Sequence, residues 1–292
     1  MKIAIFTITQ NDPWLPLWVN HVLSQGFARE DVYVLNHEST GDFQRDLEAD
    51  ISRTVSVLQV RHQKSYDYLW LTETVSKFQR FLIGQYDVVV FAAADELLYP
   101  LERATVVDAL QASREPWEYV ESWDVIQQPE EGPLVLTVPW LAQRRLGCTS
   151  RRGRRLQITR DVTVWVPPSA GASPFTAAFN VVPEAPVSSA IVAAHMHRAD
   201  NWLATQRHRE ISQRTLFPYR DDQYNPYKHN LITSIDAVIP WLLTDPDDPS
   251  RPATLRSLPM LSKEVADGRP GDVSSGASGE SSVSAASLAG GA

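Results

Sequence analysis

The sequence predicts an α/β fold with a mostly parallel sheet flanked by helices. A strand pattern from Ile3 to Thr9 leads into apolar residues spaced three and four apart between Trp14 and Leu23, the spacing of an amphipathic helix. A later run, Tyr86 to Ala94, is apolar without alternation, as in a central parallel strand covered on both faces. Strands that alternate with helices imply parallel order and right-handed crossovers.

The other elements are predicted in the same way along the chain. Gly26 ends the first helix, and a polar loop at 36–42 follows the second strand. Further strands are predicted at 31–35, 55–60, 124–128 and 191–194, a helix at 68–83, and a strand pair or hairpin at 156–165.

Composition limits the size, the compartment and the partners of the protein. The 292 residues, 43% of them hydrophobic, suffice for one large α/β domain or two small ones. A net charge of −8 argues against a nucleic-acid partner. The single cysteine, Cys148, fits a reducing compartment, and no run approaches the roughly 20 apolar residues of a membrane span. We therefore expect a cytoplasmic protein without an integral membrane segment.

The end of the chain has a different composition. From about Leu261 onward it is rich in Ser, Gly and Ala, which bury too little apolar area to offset the entropy of ordering. A cluster of Pro and Asp at 244–252 precedes this stretch. We therefore predict a folded domain at 1–245 and a linker with a disordered tail at 246–292.

Two adjacent carboxylates, Asp95 and Glu96, follow the buried run of the predicted central strand. Open α/β sheets bind ligands outside the carboxyl ends of their strands. Acids in that position can hold a divalent cation or the hydroxyls of a sugar nucleotide. The alternative is an acidic turn followed by a helix cap at Pro100.

Two histidines, His195 and His197, follow the strand pattern at 191–194. On a strand, residues two apart face the same side, so both imidazoles could address one ligand or ion. A structural or solvated His-x-His pair is the alternative. We expect these imidazoles and the acids at 95 and 96 to converge on one pocket, although about a hundred positions separate them.

Several stretches of the chain form a series with a definite order and spacing. They are Thr9–Asp12, Trp18–His21, Asn36–Thr40, Phe78–Leu82 with Tyr86–Pro100, Leu141–Arg145, Arg155–Trp165, and His195–Arg198 with Asp200. In this order the chain resembles, over about residues 1–210, the bacterial glycosyltransferase family 2-like proteins with a Rossmann-type GT-A fold. The resemblance is to a branch with an Asp-x-Asp-Glu motif after a buried strand. Here the motif is Ala93-Ala94-Asp95-Glu96, so one carboxylate of the usual pair is missing.

The resemblance implies a nucleotide-sugar donor across the carboxyl edge of the sheet and a weakly held Mn²⁺ or Mg²⁺ on its diphosphate. It assigns donor-side roles to Thr9, Asn11, Asn36 and Arg198, and metal-side roles to Asp95, Glu96, His195 and His197. With Ala93 in the motif, a hard cation should bind less tightly, because its affinity comes from charged oxygen ligands.

Six arginines, Arg144-Arg145, Arg151-Arg152 and Arg154-Arg155, could instead meet phosphate, with a solvated loop as the alternative.

An inverting transfer also needs a general base beside the acceptor hydroxyl. Glu118, Glu121 and Asp124 lie on the segment after the acidic motif. Asp124 is favoured, with Glu121 kept as a second candidate, because Asp124 begins a strand-like run. The alternative for each acid is ordinary surface charge.

The sequence thus predicts a glycosyltransferase of polysaccharide biosynthesis. It would move a sugar from a nucleotide-sugar donor to a glycan, cell-envelope or lipid-linked acceptor, and would meet the inner face of the membrane through partners. Two alternatives stay open. An inactive relative, suggested by Ala93, would only bind nucleotide sugar or glycan, and a metal-dependent hydrolase would use His195, His197 and Asp95.

Overall fold

A computed structural model describes residues 1–61, 68–135, 138–149, 155–160, 186–206 and 254–261 of the chain. The strands are β1 (Ile3–Thr9), β2 (Val32–Asn36), β3 (Ser56–Gln59), β4 (Val88–Phe91), β5 (Glu96–Pro100), β6 (Trp117–Val125), β7 (Leu146–Thr149), β8 (Arg155–Thr159), β9 (Val187–His195) and β10 (Arg256–Ser257). The helices are α1 (Leu15–Ser24), α2 (Gly41–Asp46), α3 (Tyr68–Ile83) and α4 (Val106–Ala112), and 201–206 is also helical. A short 3₁₀ turn, Met196–Arg198, follows β9.

Four parallel strands form one side of the sheet, in the order β3-β2-β1-β4, with β3 at its edge. Ile5 of β1 packs with Trp18 of α1 in one core cluster, and Phe6 packs with Phe91 of β4 in another. Both faces of these strands are thus covered, which accounts for the unbroken apolar run in β4. The predicted α/β fold, with parallel central strands flanked by helices, is confirmed.

The strands that follow extend this sheet with antiparallel pairs. Strand β8 lies between β4 and β6 and is antiparallel to both. Strand β6 also pairs with β7 and, in parallel, with β9. Strand β5 pairs with β9, and strand β10 pairs with β7. Because two antiparallel pairings separate β6 from β4, β6 and β9 run in the same direction as β1, β2 and β4. The carboxyl ends of these five strands therefore lie at one edge of the sheet, here called the carboxyl edge.

The structure confirms the bounds of two predicted elements, β1 and the helix at 68–83, and corrects two others. The alternative of a helix cap at Pro100 is wrong, because Pro100 ends strand β5 and pairs with Ile191 of β9. Asp124 does not begin a strand, since it is the next-to-last residue of β6. The sequence pattern missed the first part of β6 because Glu118 and Glu121 interrupt its apolar residues.

The predicted end of the domain at residue 245 lies within 207–253, outside the described residues, as does most of the predicted tail. Residues 254–261 come from the predicted linker but belong to the folded unit. Strand β10 pairs with β7, and Leu258 and Met260 are buried in the core. These two side chains supply apolar area that the Pro-rich sequence before them lacks.

Of the predicted pair at 156–165, strand β8 covers the beginning, and 161–165 lie outside the described residues.

Arg144 is a buried structural residue and does not belong to a solvated loop. Its side chain is 2% exposed, and it donates from Nε to the carbonyl of Ala199 and from Nη2 to the carbonyl of Gly132, both at 2.6 Å. Burial lowers the pKa of the guanidinium, although the charges of Glu131 and Asp200 act in the opposite direction. Arg144 therefore joins the loop around Gly132 to the segment after β9. Arg145 beside it is exposed, and the side chains at 151–155 lie outside the described residues.

His21 joins α1 to β5. Its Nε2–H donates to the carbonyl of Leu98 at 2.6 Å, and its ring lies against Tyr99 with the centroids 4.5 Å apart. Burial lowers the pKa of His21 to about 4, and the hydrogen bond to Leu98 opposes this shift only in part. The imidazole is therefore neutral in the folded protein near pH 7.

Acid should destabilise the fold through His21. The unfolded chain takes up a proton on this residue below the usual pKa of 6.5, but the folded protein does so only near 4. Between these values the protein should lose about 3 kcal/mol of unfolding free energy. Gln at this position keeps a donor for Leu98 but does not titrate, so His21→Gln should lose less stability on acidification. Urea unfolding of both proteins at about pH 7 and about pH 4 measures the difference; equal losses would contradict the prediction.

Gly147 permits close packing behind Asp124. A Cβ atom at this position would lie 2.5 Å from the carbonyl oxygen of Asp124 and 2.7 Å from Cδ2 of Leu258. Gly147→Ala should therefore lower the free energy of unfolding by about 1–3 kcal/mol, the usual effect of overpacking. Gly132→Ala is the matched control, because its added methyl group would meet nothing within 4 Å. Denaturant unfolding checks both variants, and equal stabilities would show that the backbone yields at β7.

Candidate active site

Four side chains meet at the carboxyl edge and are called the edge cluster: Asp95, Asp124, His195 and His197. Asp124 of β6 and His195 of β9 lie opposite each other in the register of these parallel strands. The Nδ1–H of His195 donates to Oδ1 of Asp124 at 2.5 Å. Its Nε2 lies 3.5 Å from Oδ2 of Asp95, which follows β4. The predicted convergence of Asp95 with both histidines, across a hundred positions of sequence, is therefore what the structure shows.

His197 belongs to the cluster but, contrary to the prediction from the sequence, it does not lie on the same strand as His195. His195 is the last residue of β9, whereas His197 lies in the 3₁₀ turn, so strand alternation does not relate them. Their rings are nevertheless nearly parallel, with an interplanar angle of 11° and centroids 5.7 Å apart. The turn is tied to the acidic segment, since the N–H of Met196 donates to the carbonyl of Asp95 at 2.7 Å. Nδ1 of His197 lies 4.0 Å from Oδ2 of Asp95.

Glu96 braces the turn that carries Asp95. Its Oε2 accepts from the N–H of Ala93 at 3.0 Å, and its own N–H donates to the carbonyl of Ala93 at 2.9 Å. The side chain is almost completely buried. This reciprocal pair holds Asp95 at the edge, while the predicted metal role of Glu96 stays a prediction.

The charge state of His195 follows from its two carboxylate neighbours. Burial by itself lowers the pKa of the ring, but the charges of Asp124 and Asp95, together with the hydrogen bonds to them, outweigh burial. The pKa of His195 is raised well above its usual value of 6.5. The ring is therefore an imidazolium at neutral pH, with a carboxylate facing each ring nitrogen.

The predicted metal site has suitable donor atoms but no preformed geometry. Asp95 offers a charged oxygen and the two histidines offer nitrogens, a set that suits Mn²⁺. Among the residues that the structure describes, no group of three or more His, Cys, Asp or Glu side chains is arranged to hold a metal ion. A cation that bound Nε2 of His195 would also have to displace its proton. These donors therefore fit a weak site completed by ligands from a substrate, and the four metal assignments stay predictions.

Three of the four predicted donor-side residues lie where β1 and β2 end: Thr9 and Asn36 are the last residues of these strands, and Asn11 is in the loop after β1. The loops after the two strands are bonded to each other. Asn11 donates from its N–H to Oγ of Ser39 at 3.0 Å, and Oδ1 of Asn11 accepts from the N–H of Thr40 at 2.8 Å. Asn36 accepts from the N–H of Ser39 at 3.1 Å and donates to side-chain oxygens of Gln44 and Gln59. Both amides are therefore engaged within the protein and fix the shape of the two loops.

Two residues in these loops have left-handed backbone geometry although neither is glycine. The φ angle is 49° at Asn11 and 52° at Glu38. Such angles cost free energy in L-residues and persist where the surrounding contacts impose them, often at functional sites. Thr9, at the end of β1, is buried and pairs in register with Asn36. Its predicted donor-side role, and those of Asn11 and Asn36, stay predictions.

The three candidate bases occupy different environments. Asp124 binds His195 in the edge cluster. Glu121 lies three residues earlier on β6, in a stretch of regular register with β9, so alternation directs it to the opposite face. Glu118 pairs with Arg160 at 2.8 Å and accepts from Ser113, near the other end of the strand. Glu121 and Glu118 therefore do not belong to the edge cluster.

The polar residues after the turn are largely structural. Asp200 accepts from the N–H groups of Leu203 and Leu134, and so caps the segment 201–206 and anchors a loop. Arg198 is buried, and its carbonyl accepts from the N–H of Gln127 at 3.0 Å. The predicted pairing of Arg198 with phosphate stays a prediction. Sequence reasoning missed Gln127, whose side chain also accepts from the N–H of Asn201, because no motif marks it.

Comparisons with known proteins give structural matches but no family. No family model matches the chain, and no curated protein matches its sequence. TarS residues 1–349 from S. aureus, in complex with UDP-GlcNAc, match at 14% identity and a TM-score of 0.37, over 85% of this chain and 74% of that chain. Mannosyltransferase PcManGT from Pyrobaculum calidifontis, in complex with GDP-Man and Mn²⁺, matches at 15% identity and a TM-score of 0.38, over 92% and 76%. At such low TM-scores these likenesses decide nothing about activity.

A further structural finding concerns membranes. None of the helices in the described part of the chain combines the length and the apolar character that crossing a bilayer requires.

The raised pKa of His195 predicts that the edge cluster stabilises the fold most at lower pH. The imidazolium interaction is fully present below the usual pKa of 6.5 and is lost as the pH rises through the raised pKa of the folded protein. The stability difference between wild type and His195→Gln should therefore be larger at about pH 6 than at about pH 9. Urea unfolding at several pH values measures it, and a difference that grows with pH would refute the assigned charge state.

Proposed function

We propose that the protein is a glycosyltransferase that moves a sugar from a nucleotide-sugar donor to a glycan, cell-envelope or lipid-linked acceptor in polysaccharide biosynthesis. The observation that carries the proposal is the edge cluster. Asp95, from the acidic motif, meets Asp124, His195 and His197 at the carboxyl edge, where open α/β sheets bind their ligands. The polar loops after β1 and β2 lie at the same edge. The resemblance seen in the sequence supports a nucleotide sugar as that ligand.

The donor is proposed to lie across the ends of three neighbouring strands, β2, β1 and β4. Its nucleoside would occupy the loops at 9–12 and 36–40, and its diphosphate would extend toward Asp95. The amides of Asn11 and Asn36 accept from the N–H groups of Thr40 and Ser39 in the loop after β2, and Asn36 also donates to Gln59 of β3. Because both amides are bonded within the protein, we assign them to shaping this surface. Loops fixed in this way present their remaining polar groups without a large entropic cost when the ligand binds.

A weakly held divalent cation is part of the proposal. The cation would neutralise the charge that develops on the nucleoside diphosphate as it leaves. Asp95 would hold it with one charged oxygen, and His195 and His197 lie near enough to take part. Because Ala93 contributes no carboxylate, most of the remaining ligands would have to come from the donor, which makes cation binding depend on the donor.

Two other functions make different predictions. An inactive relative would bind the same donors without turning them over, and Ala93 is the feature that favours it. A hydrolase with a resident metal would need three or more protein ligands. The described residues offer no such group, so no observation favours the hydrolase.

Donor binding should stabilise the folded protein. A nucleotide sugar at about 100 times its Kd should add about 2.7 kcal/mol, which raises Tm by several degrees. The panel would contain UDP-GlcNAc, GDP-Man, UDP and GDP, each with and without Mn²⁺. We expect Asp95→Ala to lose the Mn²⁺-dependent part of the shift, and Glu102→Gln, which changes an exposed acid, to keep it.

Release of nucleoside diphosphate from a donor that binds then separates a transferase from an inactive relative. If no nucleotide or nucleotide sugar shifts Tm, the proposed function is wrong. An unchanged Mn²⁺ effect in Asp95→Ala would remove Asp95 from the site.

A further inference from the structure

Asp124 occupies a position behind His195 in the edge cluster. Its side chain is 6% exposed, whereas the imidazole of His195 is 23% exposed. A molecule that approaches the pair from solvent therefore meets the ring before the carboxylate. The oxygen of Asp124 nearest the ring is also engaged, because it accepts the Nδ1–H of His195 at 2.5 Å.

The backbone of Asp124 is fixed from two sides. On one side β9 places His195 directly opposite it, and on the other β7 pairs it with Cys148. The neighbouring Gly147 packs so closely that a methyl group there would meet the carbonyl of Asp124. These contacts hold the backbone of Asp124 in place beside β9, and the bond to Nδ1–H of His195 holds its carboxylate against the ring.

We propose that Asp124 is a positioning residue, which holds the ring of His195 with Nε2 toward Asp95, and that it is not the group that takes the proton of an acceptor hydroxyl. A buried carboxylate that accepts from the Nδ1–H of a histidine fixes the orientation of the ring. The parallel ring of His197 and the anchored turn at Met196 limit movement from the other side. This assignment replaces the prediction that Asp124 is the general base.

The orientation of the ring can be tested without any substrate. In protein labelled with ¹⁵N-histidine, the Nδ1–H of His195 should give a far-downfield proton resonance, because it is held in a short charge-assisted hydrogen bond. His195→Gln would assign the resonance by removing it. Asp124→Ala should abolish it, Asp124→Asn should move it upfield, and Glu102→Gln should leave it unchanged. Backbone amide spectra would show that each variant is folded.

The effect on turnover rests on the proposed glycosyltransferase function. With the donor found by the binding screen, Asp124→Ala should lower kcat about 10–100-fold, the usual cost of losing a residue that orients another. Asp124→Asn keeps an acceptor oxygen for Nδ1–H and should lose less. A general base has no such rescue, since Asn cannot accept the proton. Both variants would then lose activity equally, on the order of 10³-fold.

Each outcome decides the proposal. A downfield resonance that disappears in Asp124→Ala, together with partial rescue by Asn, supports it. A resonance that is absent from the wild type or that persists in Asp124→Ala overturns it, and so do equal losses in the Asn and Ala variants. If no nucleotide sugar is turned over, the proposed function fails, while the resonance still decides whether Asp124 positions the ring.

Discussion

The parallel pairing of β6 with β9 is the constraint on which the site depends. It sets Asp124 opposite His195 at the carboxyl ends of both strands, where the charge-assisted hydrogen bond between them can form. The pairing of β5 with β9 then places Glu96 opposite the same histidine, so the acidic segment cannot drift from the imidazoles. The edge cluster is thus built by sheet register, and its parts come from three distant segments of the chain.

A second set of interactions keeps the end of β9 in place. Arg144 holds the segment after the turn through the carbonyl of Ala199. Gln127 holds it through its side-chain oxygen, which accepts from the N–H of Asn201, and through its own N–H, which donates to the carbonyl of Arg198. The charge of Arg144 is tolerated in the interior because its guanidinium donates to backbone carbonyls and lies within the field of Glu131 and Asp200. The histidines are therefore carried by a braced segment.

Local patterns predicted the first half of the fold well and the site only in part. Helix α3 was predictable because its apolar residues follow the helical period, and strands β1 and β4 were predictable because each is a short, almost continuous apolar run. The meeting of Asp95 with His195 and His197 was also predictable, since the carboxyl ends of parallel strands share an edge. The bond between Asp124 and His195 was not. It depends on which strand pairs with β9, and nothing local to Asp124 encodes that choice.

The buried groups were the other point at which sequence reasoning failed. Arg144 belongs to a run of arginines typical of a solvated surface, and its burial depends on carbonyl acceptors that come from residues 132 and 199. Asp124 and Glu121 were the first and second candidates among acids on one segment. Strand alternation over the regular stretch from Glu121 to Asp124 separates them onto opposite faces of β6. Tertiary partners, not residue type, decided the role of each of these side chains.

Ala93 adds no negative charge to the edge cluster, and the charge of the cluster affects how a diphosphate would bind. Asp95 and Asp124 carry formal charges of −1 each, and the imidazolium of His195 carries +1, so these three groups sum to −1. A diphosphate brought to them adds further negative charge, and its approach is repulsive unless a cation accompanies it. An Asp at position 93 would add a carboxylate, the kind of ligand from which hard cations draw their affinity. Ala93 adds none, so the proposed function has cation and donor bind together.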